Sequence, residues 1–354
     1  MTSAGTRGAG GEHVRSLASS RVTIRDVARL AKVSYGTVSN VLNRPSLVTP
    51  ATRARVVEVI ERTGFIRSAA ARQLRGGESR TVGAVLLDIA NPFFTEMVRG
   101  IEQVLTDNGY VLMLCSSQES SSREQHYLRL LAEHRVDGLL ITPAAQEVES
   151  IVDLIGRSIP TVLLDRDRGE SDMCSVTVDD VRGGELAAAH LVDLGHETIA
   201  FVSGPTTIRQ CADRRDGIRR VLRHERRRRS IELHEISVGA LTVENGEHAA
   251  AQLLGLDPRP TAVMCANDLL ALGVLRALTE NGVAVPEDIS VVGYDDVTFA
   301  SMLSPALTTV RQPKYELGAT AARLLLDEVL HEEHEHQAVR FEPELIARAS
   351  SVPG

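Results

Sequence analysis

At 354 residues, with 43% apolar and 24% charged residues and no Trp, the chain has the make-up of a soluble protein of two to three domains with aliphatic cores. No apolar run approaches the roughly 18–20 residues of a membrane span, and residues 1–20 lack the apolar stretch of a secretory signal, so a cytoplasmic protein with no membrane partner is expected. The net charge of −8 divides unevenly: residues 1–77 carry +9 and the remainder −17, so only the N-terminal part suits a polyanionic partner.

Residues 1–21 are rich in Gly, Ser, Thr and Ala without periodicity and read as a flexible tail. Thr23 is an N-cap before a first helix, with Asp26 in the first turn where an acid favours the helix dipole. Ile24, Val27, Ala28 and Ala31 fall on one apolar stripe of that helix. Lys32-Val33 is a tight turn, and Ser34 caps a second helix that sends Val38, Val41 and Leu42 inward. Tyr35, Gly36, Ser39 and Asn40 then face outward. Thr49-Pro50 begins a third helix that runs to about Thr63 and stops at Gly64. Two short helices joined by three or four residues make a helix-turn-helix, whose second helix reads base edges from its N-terminal half. A small helical bundle with a solvated basic face has the same periodicity.

After the linker Arg75-Gly76-Gly77-Glu78-Ser79, strand-like and helix-like segments alternate. Val82–Leu87 is a continuous apolar run, as a strand buried on both faces requires. Phe94, Met97, Val98, Ile101, Val104 and Leu105 follow at helical spacing, and Asn108-Gly109 is a C-terminal stop. Further strands are expected at Tyr110–Cys115, Val136–Thr142, Thr161–Asp165, Thr198–Ser203, Ala262–Asn267 and Ile289–Asp295, with helices including Gly184–Leu194 and Leu269–Glu280. This is an α/β pattern of parallel sheets with right-handed crossovers, and about 270 residues exceed one core, so two sheets are expected. Polar residues stand at six strand ends: Asp88, Ser116, Asp165, Ser203, Asn267 and Asp295. Each alone reads equally well as a cap of the next helix; six together point to a cleft between two facing sheets.

Other features point away from chemistry. Cys115, Cys174, Cys211 and Cys265 are scattered, with no CxxC, so neither a disulfide framework nor a zinc site is expected. Arg219–Arg229 reads as a solvated loop, and His331–His336 as a helix end passing into a polar loop rather than a metal site. No GxSxG, P-loop or paired catalytic carboxylate motif is present, and neither an enzyme nor a cofactor is expected.

The segment VTIRDVARLAKVSYGTVSNVLNRPSLVTPATRARVVEVIERTGF, followed by SAAARQLR, closely resembles the head and hinge of the LacI/GalR repressor family. NPFF (91–94), RVDGLLI (135–141), LVDLGHETIAFVSGP (191–205), ANDLLALG (266–273), VPEDISVVGYDD (285–296) and PALTTVRQP (305–313) resemble that family's core, in order. The likeness spans about residues 22–350. It implies a helix-turn-helix head at 22–66 and a hinge helix and linker at 67–79. A periplasmic-binding-protein-like core of two Rossmann-like subdomains would follow, one at about 80–180 plus 312–341 and one at about 181–311 plus 342–354.

The resemblance also assigns residues. Tyr35, Gly36 and Asn40 match base-reading positions, with Asn40 able to bond bidentately to adenine. Ser34, Thr37, Ser39, Asn43, Thr49 and Thr52 match positions that hold phosphates, which set register rather than sequence. Ser68 would cap the hinge helix, Ala71 would let paired hinges approach, and Leu74 would wedge between base steps in the minor groove. Arg67-Ser68 replaces the frequent Pro-Asn before this helix, and Lys32 replaces a frequent Gly. In the core, Phe93 and Phe94 match cleft-wall aromatics, Arg214 an effector-clamping arginine and Asp295 an acceptor carboxylate, joined by Asp165 and Asn267. Leu241 stands where several members stack an aromatic, and Ile208 where purine-responsive members use Arg. The implied protein is a repressor that binds double-stranded DNA at a palindromic operator as a homodimer, under a small-molecule effector that is a sugar or related polyol. A solute-binding protein would fit the core alone.

Overall fold

The computed structural model describes residues 22–65, 79–144, 151, 159–169, 171–225, 230–331 and 333–352. The expectations for the tail, for Ser68, Ala71 and Leu74 of the hinge, and for Arg226 to Arg229 lie outside the described residues. The chain divides into two units, 1–78 and 79–354.

Among its described residues the first unit has three α-helices. Helix α1 (Ile24–Leu30) opens with a reciprocal cap: Thr23 Oγ1 accepts from the Asp26 backbone N–H at 3.3 Å, and the Thr23 N–H donates to Asp26 Oδ2 at 3.0 Å. Lys32 takes a φ of 53° in the turn that follows, a left-handed conformation that costs a non-glycine residue about 1 kcal/mol. Helix α2 (Tyr35–Asn43) starts at Ser34, whose hydroxyl accepts from the Thr37 N–H at 3.0 Å. Helix α3 (Pro50–Thr63) has Pro at its first position and left-handed Gly64 at its end. Val27, Ala28, Ala31, Val38, Val41, Val56 and Val59 form the core between them. Small aliphatic side chains let the three helices pack closely around so short a sequence.

The second unit holds two six-stranded sheets. In chain order the first receives β1 (Thr81–Leu86), β2 (Val111–Ser116), β3 (Gly138–Ile141), β4 (Thr161–Leu164) and β5 (Cys174–Val178). Helices α4 (Pro92–Asp107) and α5 (Ser121–Glu133) connect the early strands. The second sheet then receives β6 (Thr198–Ser203), β7 (Glu232–Ser237), β8 (Ala262–Cys265), β9 (Ser290–Asp295) and β10 (Thr308–Arg311). Its helices are α6 (Asp180–Asp193), α7 (Arg209–Glu225), α8 (Val243–Leu254) and α9 (Asp268–Glu280). The chain returns through α10 (Lys314–Leu330) to β11 (Ala338–Phe341) in the first sheet, then crosses back to β12 (Glu344–Ile346) in the second. The orders are β11-β5-β4-β3-β1-β2 and β12-β10-β9-β8-β6-β7, parallel throughout except that β12 runs antiparallel to β10.

Side-chain alternation explains the layering. Val82, Ala84 and Leu86 point into a core shared with α4 and α10, while Val85 points into one shared with α5. Both faces of β1 are therefore covered, which is why its sequence is a run rather than an alternation. The expected solvated loop from Arg219 is corrected: Arg219 to Glu225 are the last turns of α7, where Arg219 makes two hydrogen bonds to the Glu235 carboxylate at 2.7 and 2.9 Å. Among the described residues no helix is long and apolar enough to cross a membrane.

Candidate functional site

A cavity of about 250 Å³ is walled by residues from both sheets, at the carboxyl ends of their strands. Phe93, Phe94, Asp165, Arg214, Leu241, Asn267 and Asp295 all line it, as do Asp88 and Ile208. Ser116 and Ser203, the other two polar strand ends, are not in its wall. The Ser116 hydroxyl lies 3.5 Å from the Leu87 carbonyl, and Ser203 engages the Cys211 thiol.

The local sequence explains each placement. Asn91 caps α4 by accepting from the Phe93 N–H at 3.0 Å, and Pro92 fixes the first turn. That puts Phe93 and Phe94 at the cavity, edge to face with centroids 5.0 Å apart. Asp165 follows β4 with φ 52°, and Asp295 ends β9 with φ 114°. Such conformations cost about 1–3 kcal/mol each in a non-glycine residue and concentrate at binding sites. Asn267 is the N-cap of α9: its Oδ1 accepts from the Leu270 N–H at 2.9 Å and its Nδ2 donates to the Leu241 carbonyl at 3.2 Å. Asn267 thus holds Leu241 in the wall besides lining the cavity itself.

Arg214 is 5% exposed, which rules out a surface salt bridge. Its Nε donates to Asp180 Oδ1 at 2.7 Å, its Nη1 donates to the Ala266 carbonyl, and its plane stacks 3.6 Å from the Tyr294 ring centroid. Among the described residues its Nη2 makes no hydrogen bond. The guanidinium is therefore fixed on one side and retains donors for a ligand.

The buried carboxyls of Asp165, Asp180, Asp268 and Asp295 lie at or near this site and outnumber its buried guanidinium. Burial, reinforced by Asp180, pushes Asp165 up to about 8. Burial raises Asp295 to about 6, with Arg214 and a 2.7 Å bond from Gln312 Nε2 holding it from rising further. Asp165 and Asp295 thus differ in their hold on a proton, and both face the cavity together with the Arg214 guanidinium. Gln210 donates to Asp165 Oδ2 at 2.8 Å, while Asp165 Oδ1 is buried with no hydrogen-bond partner among the described residues.

Asp180, Gln210, Gln312 and Tyr294 were not legible as site residues. The two glutamines carry no periodic or motif signal, and Asp180 follows a strand, Cys174-Ser-Val-Thr-Val178, too short and too polar to stand out as one. The Asp179-Asp180 pair directly after that strand is the one hint the sequence carries.

In the first unit, Tyr35, Gly36 and Asn40 are exposed along the outer side of α2. Ser34 Oγ and Thr37 Oγ1 are 2.8 Å apart, Asn43 donates to the Ser39 carbonyl at 2.9 Å, and Thr49 donates to Thr52 at 3.0 Å. These polar groups form a hydrogen-bonded rim on an otherwise Arg-rich unit.

A helix-turn-helix unit followed by a two-subdomain core with a polar interdomain cleft defines a ligand-responsive DNA-binding regulator. Residues 23–68 match the family model described as bacterial regulatory proteins, lacI family, and residues 188–351 match the periplasmic binding protein-like domain. The HTH-type transcriptional repressor PurR of Vibrio cholerae is 36% identical over 328 residues, covering 92% of this chain and 97% of that one. The lac repressor dimer bound to operator and the anti-inducer ONPF superposes with a TM-score of 0.82 at 29% identity, covering 94% of this chain and 100% of that one. A LacI family regulator from Enterococcus faecium with bound ribose gives 0.70 at 34% identity, over 77% of this chain and 99% of that one. The chain belongs to the LacI family of bacterial transcriptional repressors: it is a DNA-binding repressor and not an enzyme.

Proposed function

We propose that this repressor acts as a homodimer on a palindromic operator and answers to a monosaccharide or related small polyol bound in the cleft. The observation that carries the ligand class is the convergence of the Asp165 and Asp295 carboxyls and the Arg214 guanidinium on one cavity whose wall includes Phe93 and Phe94. A ring of vicinal hydroxyls both donates and accepts at neighbouring atoms, which this set complements. A volume of about 250 Å³ suits one sugar ring rather than a chain of them. The wall has aliphatic Leu241 and Ile208 where a planar base would gain from an aromatic face or a guanidinium.

In the head, Tyr35 and Asn40 would reach base edges, while Ser34, Thr37, Ser39, Asn43, Thr49 and Thr52 would hold phosphates. The dimer has its own support. Edge strand β2 leaves Val111 64% and Leu114 41% exposed, and Met113 beside them is exposed as well. An uncovered apolar sheet edge is a natural self-association surface, and a palindrome requires a two-fold axis. Ligand would act by binding the two arrangements of the core with different affinity, which is the free energy available to shift DNA binding.

Calorimetric titration of the full-length protein with pentoses, hexoses, polyols and purine bases tests the ligand class. A single sugar or polyol should bind, and Arg214→Met should remove that binding while operator DNA is still retained. Binding of a purine base with no response to any sugar would overturn this reading.

A further inference from the structure

The sequence offers no cysteine–histidine motif, yet the fold brings three such ligands together. Cys174 opens β5, at the end of the first sheet opposite the cleft, the same end at which Ser79 enters the core. The connection from α10 to β11 passes beside it, because β11 pairs with β5 from Ala338↔Ser175 onward. His334 Nε2 lies 3.1 Å and His336 Nδ1 4.0 Å from Cys174 Sγ, and one ligand atom from each of the three residues lies within 4.8 Å of the others. Bonds of about 2.3 Å to sulfur and about 2.0 Å to nitrogen at a tetrahedral angle separate S and N by roughly 3.5 Å, midway between those two contacts.

The surroundings are those of a ligand set rather than of a chance cluster. His334 Nδ1 is 2.7 Å from Asp327 Oδ2, which fixes the tautomer with its proton there and leaves the Nε2 lone pair toward the sulfur. His336 Nε2 lies 3.6 Å from the exposed Asp172 Oδ1, an ion-pair distance and not a hydrogen bond. A carboxylate hydrogen-bonded behind the imidazole, as Asp327 is behind His334, is the usual outer partner of a metal-bound histidine. The Gln337 N–H points at Cys174 Sγ at 3.2 Å, which suits a thiolate. Glu328 stands among the same groups, with Oε2 buried and no hydrogen-bond partner among the described residues. A simple thiol–imidazole hydrogen bond explains the 3.1 Å contact alone; it leaves the second imidazole without a reason.

We propose that Cys174, His334 and His336 form a three-ligand site for a zinc-class divalent ion, with the fourth tetrahedral position open. One sulfur and two imidazoles select a borderline-soft ion over magnesium or calcium. The ion would tie the start of β5 to the α10–β11 connection, closing a loop between residues 160 positions apart in sequence.

The test uses full-length protein freed of metal by chelation and dialysis, then titrated with Co²⁺ as a spectroscopic stand-in for Zn²⁺. One equivalent per chain should give a thiolate-to-cobalt charge-transfer band and the intense visible bands of a tetrahedral site, both removed by added Zn²⁺. Cys174→Ser should abolish the charge-transfer band, and His336→Ala should weaken Co²⁺ binding at least tenfold. His331→Ala, at the neighbouring helix end, should leave both unchanged. If Cys174→Ser does not fold, the partly exposed His336 position decides the matter. Absence of the charge-transfer band, its survival in Cys174→Ser, or unchanged affinity in His336→Ala would each overturn the proposal.

Discussion

Asp165 keeps its proton near neutrality because it is buried beside Asp180 while its one side-chain bond, from Gln210, is shared with no cation. Its pKa rises from 3.8 to about 8, so between those values the folded state holds a proton that the unfolded state has lost. Stability must therefore fall as pH rises through that window. Asp165→Asn preserves an acceptor for Gln210 and removes the titration, so its melting temperature should decline less than that of the wild type between pH 5 and 9. Parallel curves in calorimetry would contradict the assignment. In the head, Asn40→Ala should relax preference at one operator base pair by roughly 1–3 kcal/mol. Competition binding over a set of single-base operator variants reads this directly, and equal weakening on every sequence would reduce Asn40 to a phosphate contact.

Elements position these residues through close helix crossings. A Cβ on Gly184 of α6 would overlap the Arg214 carbonyl of α7, and a Cβ on Gly217 would overlap the Val181 carbonyl in return. Backbone contact between the two helices is what brings Arg214 to Asp180. Gly184→Ala should force them apart, costing about 1–3 kcal/mol in urea unfolding, and should weaken ligand binding as the guanidinium leaves its carboxylate. Loss of stability with ligand affinity intact would detach the crossing from the site.

What the sequence revealed follows the same physics. Strands covered on both faces, such as β1, β3, β6 and β9, stand out as apolar runs. Glu-Leu-His-Glu-Ile-Ser of β7 and Ala-Val-Arg-Phe of β11 lie at or near sheet edges, where polar side chains meet water and the strand signal disappears. In the site, residues with distinctive chemistry at strand ends were legible, whereas Gln210, Gln312 and Asp180 are defined by what they touch. The contact of Cys174 with His334 and His336 leaves no trace in the sequence for that reason too, since it arises through the pairing of β5 with β11.

At the scale of the whole molecule, the basic head and the acidic core divide the labour between DNA and ligand, and the proposed dimer joins two such chains. Met113→Asp on the exposed edge of β2 should shift the protein to monomer in sedimentation and weaken palindrome binding more than half-site binding. A persistent dimer would move the interface elsewhere. Sequence-specific reading by paired heads is tested most directly by sequencing genomic fragments captured by the full-length protein at near-physiological salt. It should return one palindromic sequence. Fragments recovered without a shared sequence would mean that the head supplies only phosphate contacts, and would contradict the account.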